Sequence, residues 1–275
     1  MSKELSEKSI PDMKELTKPE QSEIIKQGIA IEKEDPEQNK NMTIDEVCNK
    51  LQKLRARPLL VLYYPDKPDA NIENYELSRI YNEFRRRGFN RDDKKIPYLD
   101  VVFHTLGGNP DAGYMIAQVI RSFCEKVDFL IPYHAASAGT LISFSANKIL
   151  LGAYSYLSPI DSSLGDVPLM AIDYFINFAV DCRKRMEQSF RENGLEGAQS
   201  DVESQVLTEM LEQVKAINVG RYYRERTLTG YYSERLLNDY MFADNADRVN
   251  ISNRIIRELL FNYPAHEFYL DEGWA

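Results

Sequence analysis

Two short stretches, one about thirty residues after the other, constrain this chain more than any other part of it. In the first, the apolar run Tyr98 to Phe103 ends in His104-Thr105-Leu106-Gly107-Gly108-Asn109-Pro110 and opens into an amphipathic segment from Asp111 to Cys124. That order predicts a strand, a glycine-rich turn and a helix. In the second, the apolar run Val127 to Ile131 leads into Tyr133-His134-Ala135-Ala136-Ser137-Ala138-Gly139-Thr140, and an apolar helix is expected from Ala138 to Ala146. Glycines let a turn aim backbone N–H groups above a strand end, so Ser137 is expected at a helix start beside such a turn.

This arrangement contains both halves of an acyl-transfer site. A nucleophilic serine needs small neighbours, a helix N-terminus that favours developing negative charge, and donors directed at a tetrahedral oxyanion. Ala136, Ala138 and Gly139 supply the first, and the amides of Gly108 and Ala138, with Gly107 shaping the turn, could supply the last. The plainer reading of the same residues is an N-cap serine and a tight turn.

The rest of the chain agrees with a layered α/β architecture. Thr43-Ile44-Asp45-Glu46 reads as a capping box opening a helix to Arg55, and Pro58 to Tyr64 as a buried strand bounded by Pro65. Asn71 to Arg87 reads as an amphipathic helix, and Lys148 to Leu151 as a further short strand. Strands alternating with helices of about a dozen residues predict parallel β/α layering. Gly108 and Ser137 would then meet at the carboxyl ends of neighbouring strands, where open α/β sheets gather ligands. Beyond them, Pro168 to Phe190 and Ser200 to Asn218 read as helices, and Tyr222 to Ala275 as a helical, tyrosine-rich tail whose default role is core packing.

Composition sets the boundaries. With 275 residues, 43% of them hydrophobic, one large domain from 44 to 275 is expected behind a polar arm, residues 1 to 43, partly disordered or helical. A net charge of −9 argues against nucleic acid as the main partner, and Arg85-Arg86-Arg87 and Arg183-Lys184-Arg185 read as solvated helix faces. Three scattered cysteines without a Cys-x-x-Cys suggest a reduced, cytoplasmic chain with no metal site. No signal-peptide core or membrane-spanning run is expected.

The residues His104-Thr105-Leu106-Gly107-Gly108, Ser137-Ala138-Gly139-Thr140-Leu141 and Leu157-Ser158-Pro159-Ile160-Asp161-Ser162-Ser163-Leu164-Gly165 together resemble a family. It is the serine dehydrogenase proteinase branch of the Clp/crotonase-fold serine peptidases, which is similar to signal peptide peptidase A. The likeness runs over roughly residues 55 to 220; Leu106 and Ser158 stand where the family motifs carry Pro and Gly. The resemblance implies an α/β fold of stacked ββα units with a helical C-terminal region, a peptide or protein substrate, a homo-oligomer, and no cofactor.

It also implies a Ser-Lys dyad. Leu207 to Ile217 is similar to a family helix bearing Lys-Ala-Ile, which makes Lys215 the expected base. A lysine base needs apolar surroundings, and at about 100° per residue Lys215 flanks an apolar stripe beside Leu211, whereas Lys184 falls opposite its own stripe. His266, in a segment similar to the family's C-terminal region, is an alternative base, and Asp161 a candidate orienting group or Asx-turn. His104 and His134 are expected to hydrogen-bond backbone near the turns. Two other functional classes stay open: a non-catalytic scaffold binding protein partners, and a crotonase-like acyl-CoA enzyme.

Overall fold

In a computed structural model the described residues are 42–67, 69–160, 163–164, 167–194, 205, 208–209, 212, 216–263 and 270. The chain divides into two units, the second beginning at Arg57. Within the first, helix α1 (Ile44–Arg55) starts from the expected capping box. The Thr43 hydroxyl accepts from the Glu46 amide at 3.3 Å, and the Glu46 carboxylate accepts from the Thr43 amide at 2.7 Å. Such a cap is worth about 1 kcal/mol. Ala56, at φ 51°, closes the helix in the left-handed region.

The second unit is built on a four-stranded, wholly parallel sheet. Its strands are β1 (Leu59–Tyr63), β2 (Ile96–His104), β3 (Cys124–Ile131) and β5 (Lys148–Leu151), in the order β1-β2-β3-β5. The two central strands carry the longest apolar runs, as strands covered on both faces must. Leu99, Val101, Phe103, Val127 and Phe129 are buried, and the Phe103 and Phe129 rings meet edge to face at 5.5 Å. Each such side chain contributes about 1.5–3 kcal/mol by leaving water.

Helix α2 (Tyr75–Arg86) and helix α3 (Pro110–Phe123) pack together, with Phe84 stacked on Phe123 at 4.9 Å. In α3 the buried positions Ala112, Gly113, Ile116, Ala117, Ile120 and Phe123 recur at helical spacing. The helix expected from Asn71 begins only at Tyr75, because Ile72 is used differently: it forms an isolated bridge with Gly108 and is wholly buried. The basic run behaves as a solvated face, with Arg86 and Arg87 both paired to Glu83.

After β3 come the two-residue strand β4 (His134–Ala135), helix α4 (Ala138–Ser143), and β6 (Tyr156–Leu157), which pairs with β4. Helix α4 is shorter than expected, ending in turns before Ala146. A small antiparallel pair, β7 (Ser163–Leu164) and β8 (Val167–Pro168), precedes the long helix α5 (Leu169–Glu192).

The C-terminal region is helical, as expected. Helix α6 (Ala216–Leu236) passes into a π-helical turn at Leu237–Met241, and helix α7 (Arg248–Arg257) into another at Glu258–Asn262. Its tyrosines divide by role. Tyr232 stacks on Tyr114 at 4.1 Å and donates to Asp111 at 2.9 Å, and Tyr240 donates to Gln118 at 3.0 Å, so both fasten the region to α3. Tyr223 and Tyr231 are more than half exposed. The Arg226 guanidinium lies 3.6 Å over the Phe261 ring and contacts Asp173 at 2.5 Å, joining α6 to α5.

Candidate active site

The glycine turn is held from both sides. At the end of β2 the Thr105 amide donates to the His134 carbonyl at 3.1 Å, and the Thr105 carbonyl accepts from the Ala136 amide at 3.0 Å. The Thr105 hydroxyl then accepts from the Gly107 amide at 2.9 Å. Ile72 clamps the other side, donating to Gly107 O and accepting from Asn109 N, each at 2.9 Å. Gly107 and Gly108 have φ of 115° and 144°, a region open to glycine, and a Cβ on Gly108 would lie 2.3 Å from the Ile72 amide nitrogen. Asn109 ends the turn by capping α3, its side chain accepting from Ala112 N at 3.0 Å.

The serine segment lies against this turn. Ser137 has φ 52° and ψ −114°, and its side chain makes no capping hydrogen bond, so the N-cap reading fails. A non-glycine residue held there stores of order 1–3 kcal/mol of strain. Two hydrogen bonds hold it: its amide donates to the Ser158 hydroxyl at 2.8 Å, and its carbonyl accepts from Leu141 N at 3.1 Å. The Thr140 hydroxyl braces the same junction, lying 2.8 Å from the Ala135 carbonyl and 2.9 Å from the Ser158 carbonyl. Ser137 itself is half-buried and faces the turn: a Cβ built on Gly107 would lie 3.4 Å from its Oγ.

Two amides of these turns have no partner among the described residues. Among the described residues no hydrogen bond is made by the N–H of Gly108 or of Ala138, although the neighbouring amides of Gly107, Asn109, Ser137 and Gly139 are all engaged. Helix α4 has only six residues, so its dipole is small. Any stabilisation of an anion there falls to the individual N–H groups.

The other candidates separate clearly. Lys184 is 71% exposed at its side chain and lies 3.7 Å from Asp181, a solvated pair. Lys215, His266 and Asp161 lie outside the described residues. His104 and His134 do not serve backbone, contrary to expectation. Their Nε2 atoms lie 3.1 and 2.9 Å from one carboxylate oxygen of Asp66, since the loop after β1 meets the end of β2 and the start of β4. Burial, reinforced by the adjacent His134, holds His104 below the usual imidazole pKa. Ser158 acquires a role no pattern announced, and the only hint was its departure from glycine.

These parallel layers and this pair of turns make an α/β protein with a helical C-terminal region. Residues 82–193, which include both turns, match the family of ClpP-like SDH-type serine proteinases. The likeness drawn from the motifs is thereby borne out, and that family is one of serine hydrolases. Two uncharacterized proteins of Methanocaldococcus jannaschii, MJ0137 and MJ1495, are 34% and 31% identical over 74 residues, 27% of this chain. The match spans about a quarter of the length of these curated relatives, 26% and 25%. A ClpP1 mutant structure from Listeria monocytogenes aligns with 74% of this chain and 94% of its own at 12% identity and a TM-score of 0.29. No helix among the described residues is long and apolar enough to cross a membrane.

Proposed function

We propose that the protein is a serine peptidase that cleaves peptide bonds through an acyl-enzyme on Ser137. The observation that carries this reading is the strained backbone of Ser137, φ 52°, in a residue whose side chain caps nothing and is turned toward the glycine turn. A structural serine has no use for that conformation, whereas a nucleophile gains from it an Oγ aimed at the glycine turn instead of back at its own helix. The scaffold and acyl-CoA alternatives leave the strain without a purpose.

In this reading Ser137 Oγ attacks the scissile carbonyl while Lys215 takes its proton. The carbonyl oxygen, now negative, receives the N–H groups of Gly108 and Ala138, with Gly107 setting the turn. Donors fixed in advance are worth roughly 10²–10³ each in rate. Collapse of the tetrahedral intermediate expels the amine, protonated by Lys215, and water then hydrolyses the ester by the same route. No cofactor enters. Self-assembly into a homo-oligomer and a cytoplasmic setting belong to the same reading, and sedimentation of the purified chain tests the first.

The deciding experiment is labelling with a fluorophosphonate, read by intact mass, on wild type, Ser137→Ala, Lys215→Ala and His266→Ala. One adduct on wild type and on His266→Ala, none on the other two, is the expected pattern. Labelling that survives Lys215→Ala but not His266→Ala moves the base to His266. A folded wild type that takes no label removes the peptidase reading in favour of the scaffold.

A further inference from the structure

The chain has three histidines, and two of them converge on a single carboxylate oxygen. Asp66, in the loop after β1, His104, the last residue of β2, and His134, the first of β4, each offer one donor atom. All three donor atoms lie within 4.8 Å of one another. We propose that these residues bind one first-row transition-metal dication of the Zn²⁺ and Co²⁺ class, held by two imidazole Nε2 atoms and one carboxylate oxygen.

The imidazoles are set for this before any ion arrives. Both are more than nine-tenths buried as residues, and their orientation is fixed by flat packing: Tyr63 stacks on His104 at 5.0 Å and 16°, and Tyr156 on His134 at 5.2 Å and 26°. Among the described residues Nδ1 of His104 has no hydrogen-bond partner, so Nε2, facing Asp66, is the ring's engaged polar atom. A metal-bound histidine is usually oriented by a hydrogen bond from its other ring nitrogen; at His104 the stacked Tyr63 ring does the orienting instead.

The spacing also fits. Ligands about 2.0–2.2 Å from a tetrahedral ion stand about 3.3 Å apart. The Nε2 atoms lie 3.1 and 2.9 Å from the oxygen, so an ion can enter with an outward shift of a few tenths of an ångström. The carboxylate is the mobile partner: the Asp66 side chain is 54% exposed, while those of His104 and His134 are 6% and 10% exposed. Asp66 therefore supplies both the entry path and the open side at which water completes the coordination.

The donor set selects the ion. Two nitrogens and one oxygen suit zinc, cobalt, nickel or iron(II), whereas magnesium and calcium prefer all-oxygen shells. Such an ion would join three parts of the chain at the root of both turns. His104 is bonded through the chain to Thr105, which anchors Gly107, and His134 lies three residues before Ser137.

The test is titration of the full, EDTA-stripped chain with Co²⁺, followed by visible absorption, and with Zn²⁺ by calorimetry. The expected result is one equivalent bound, with ligand-field bands of four- or five-coordinate cobalt. Asp66→Asn and His134→Ala should each weaken binding by roughly 100-fold or more, at least what losing a mere supporting partner costs. His266→Ala should leave it unchanged. Asp66→Asn is the decisive variant, because its exposed side chain can change without disturbing packing, as circular dichroism will verify. Absence of saturable binding in folded wild type overturns the proposal, as does a folded Asp66→Asn protein that binds Co²⁺ as tightly as wild type.

Discussion

Gly107 and Ser137 are in such close contact that the absence of a side chain on one makes room for the side chain of the other. A Cβ on Gly107 would stand 2.8 Å from Ser137 Cβ and 3.0 Å from the Ala136 carbonyl oxygen, neither of which can swing away as the tip of a flexible side chain could. Gly107→Ala is therefore expected to displace the serine. A shift of about 1 Å at a reacting group costs on the order of 100-fold, so fluorophosphonate labelling should slow by at least that much. Label uptake by intact mass, with a melting curve to show folding, checks it; near-normal labelling contradicts the placement.

Ser158 controls the strain at Ser137. Its hydroxyl accepts from the Ser137 amide at 2.8 Å and donates to the Pro159 carbonyl at 3.1 Å. Ser158→Ala leaves that amide without its acceptor, which costs about 1–3 kcal/mol. Urea denaturation should register this loss, and labelling of Ser137 should slow as the residue relaxes from φ 52°. Unchanged stability and labelling together would show that the bond does not hold the serine.

Arg57 neutralises charge inside the sheet. Its Nη1 lies 2.8 Å from Asp128 and 3.3 Å from Asp100, whose side chains are almost wholly buried, and its guanidinium covers the Tyr98 ring at 3.6 Å. Arg57→Met removes this cation from two buried carboxylates, of which Asp128 keeps the Tyr98 hydroxyl at 3.1 Å, and is expected to lower stability by up to about 3 kcal/mol. Adding Asp100→Asn and Asp128→Asn should restore part of that loss. Chemical denaturation of the single and triple variants measures both.

Cys124 is shielded from thiol chemistry. Burial pushes its thiol up to about 12, partly offset by Arg121 and Lys95. At pH 8 iodoacetamide should modify the partly exposed Cys48 and Cys182 and leave Cys124 intact in native protein. The unfolded thiol ionises near 8.5, before the folded one, so stability is full below that pH and declines above it, by at most about 1.4 kcal/mol per pH unit. Melting temperature against pH for wild type and Cys124→Ala isolates this contribution.

Much of the scaffold could be read directly from residue order. The capping box at Thr43 and Glu46 depends on contacts within a few residues, while strand Lys148–Leu151 and the turns at Gly107 and Ser137 were legible from apolar runs and small residues although β3, Ile72 and Ser158 supply their hydrogen bonds. Ile72 could not be read this way. Its apolar spacing suits a helix, yet it bridges Gly108, because Gly107 and Asn109, 35 and 37 residues away, give its N–H and C=O groups their bonds.

The amino-acid sequence by itself determined the parallel α/β layering, the glycine turn and the position of the serine, since these follow from periodicity, glycine's freedom at positive φ, and small residues around one hydroxyl. Only the tertiary structure decided the strain at Ser137, its tether to Ser158, and the meeting of Asp66, His104 and His134. Those arise where separate strands end side by side. Residues 38 and 68 positions apart then share one carboxylate oxygen, a relationship that no local spacing encodes.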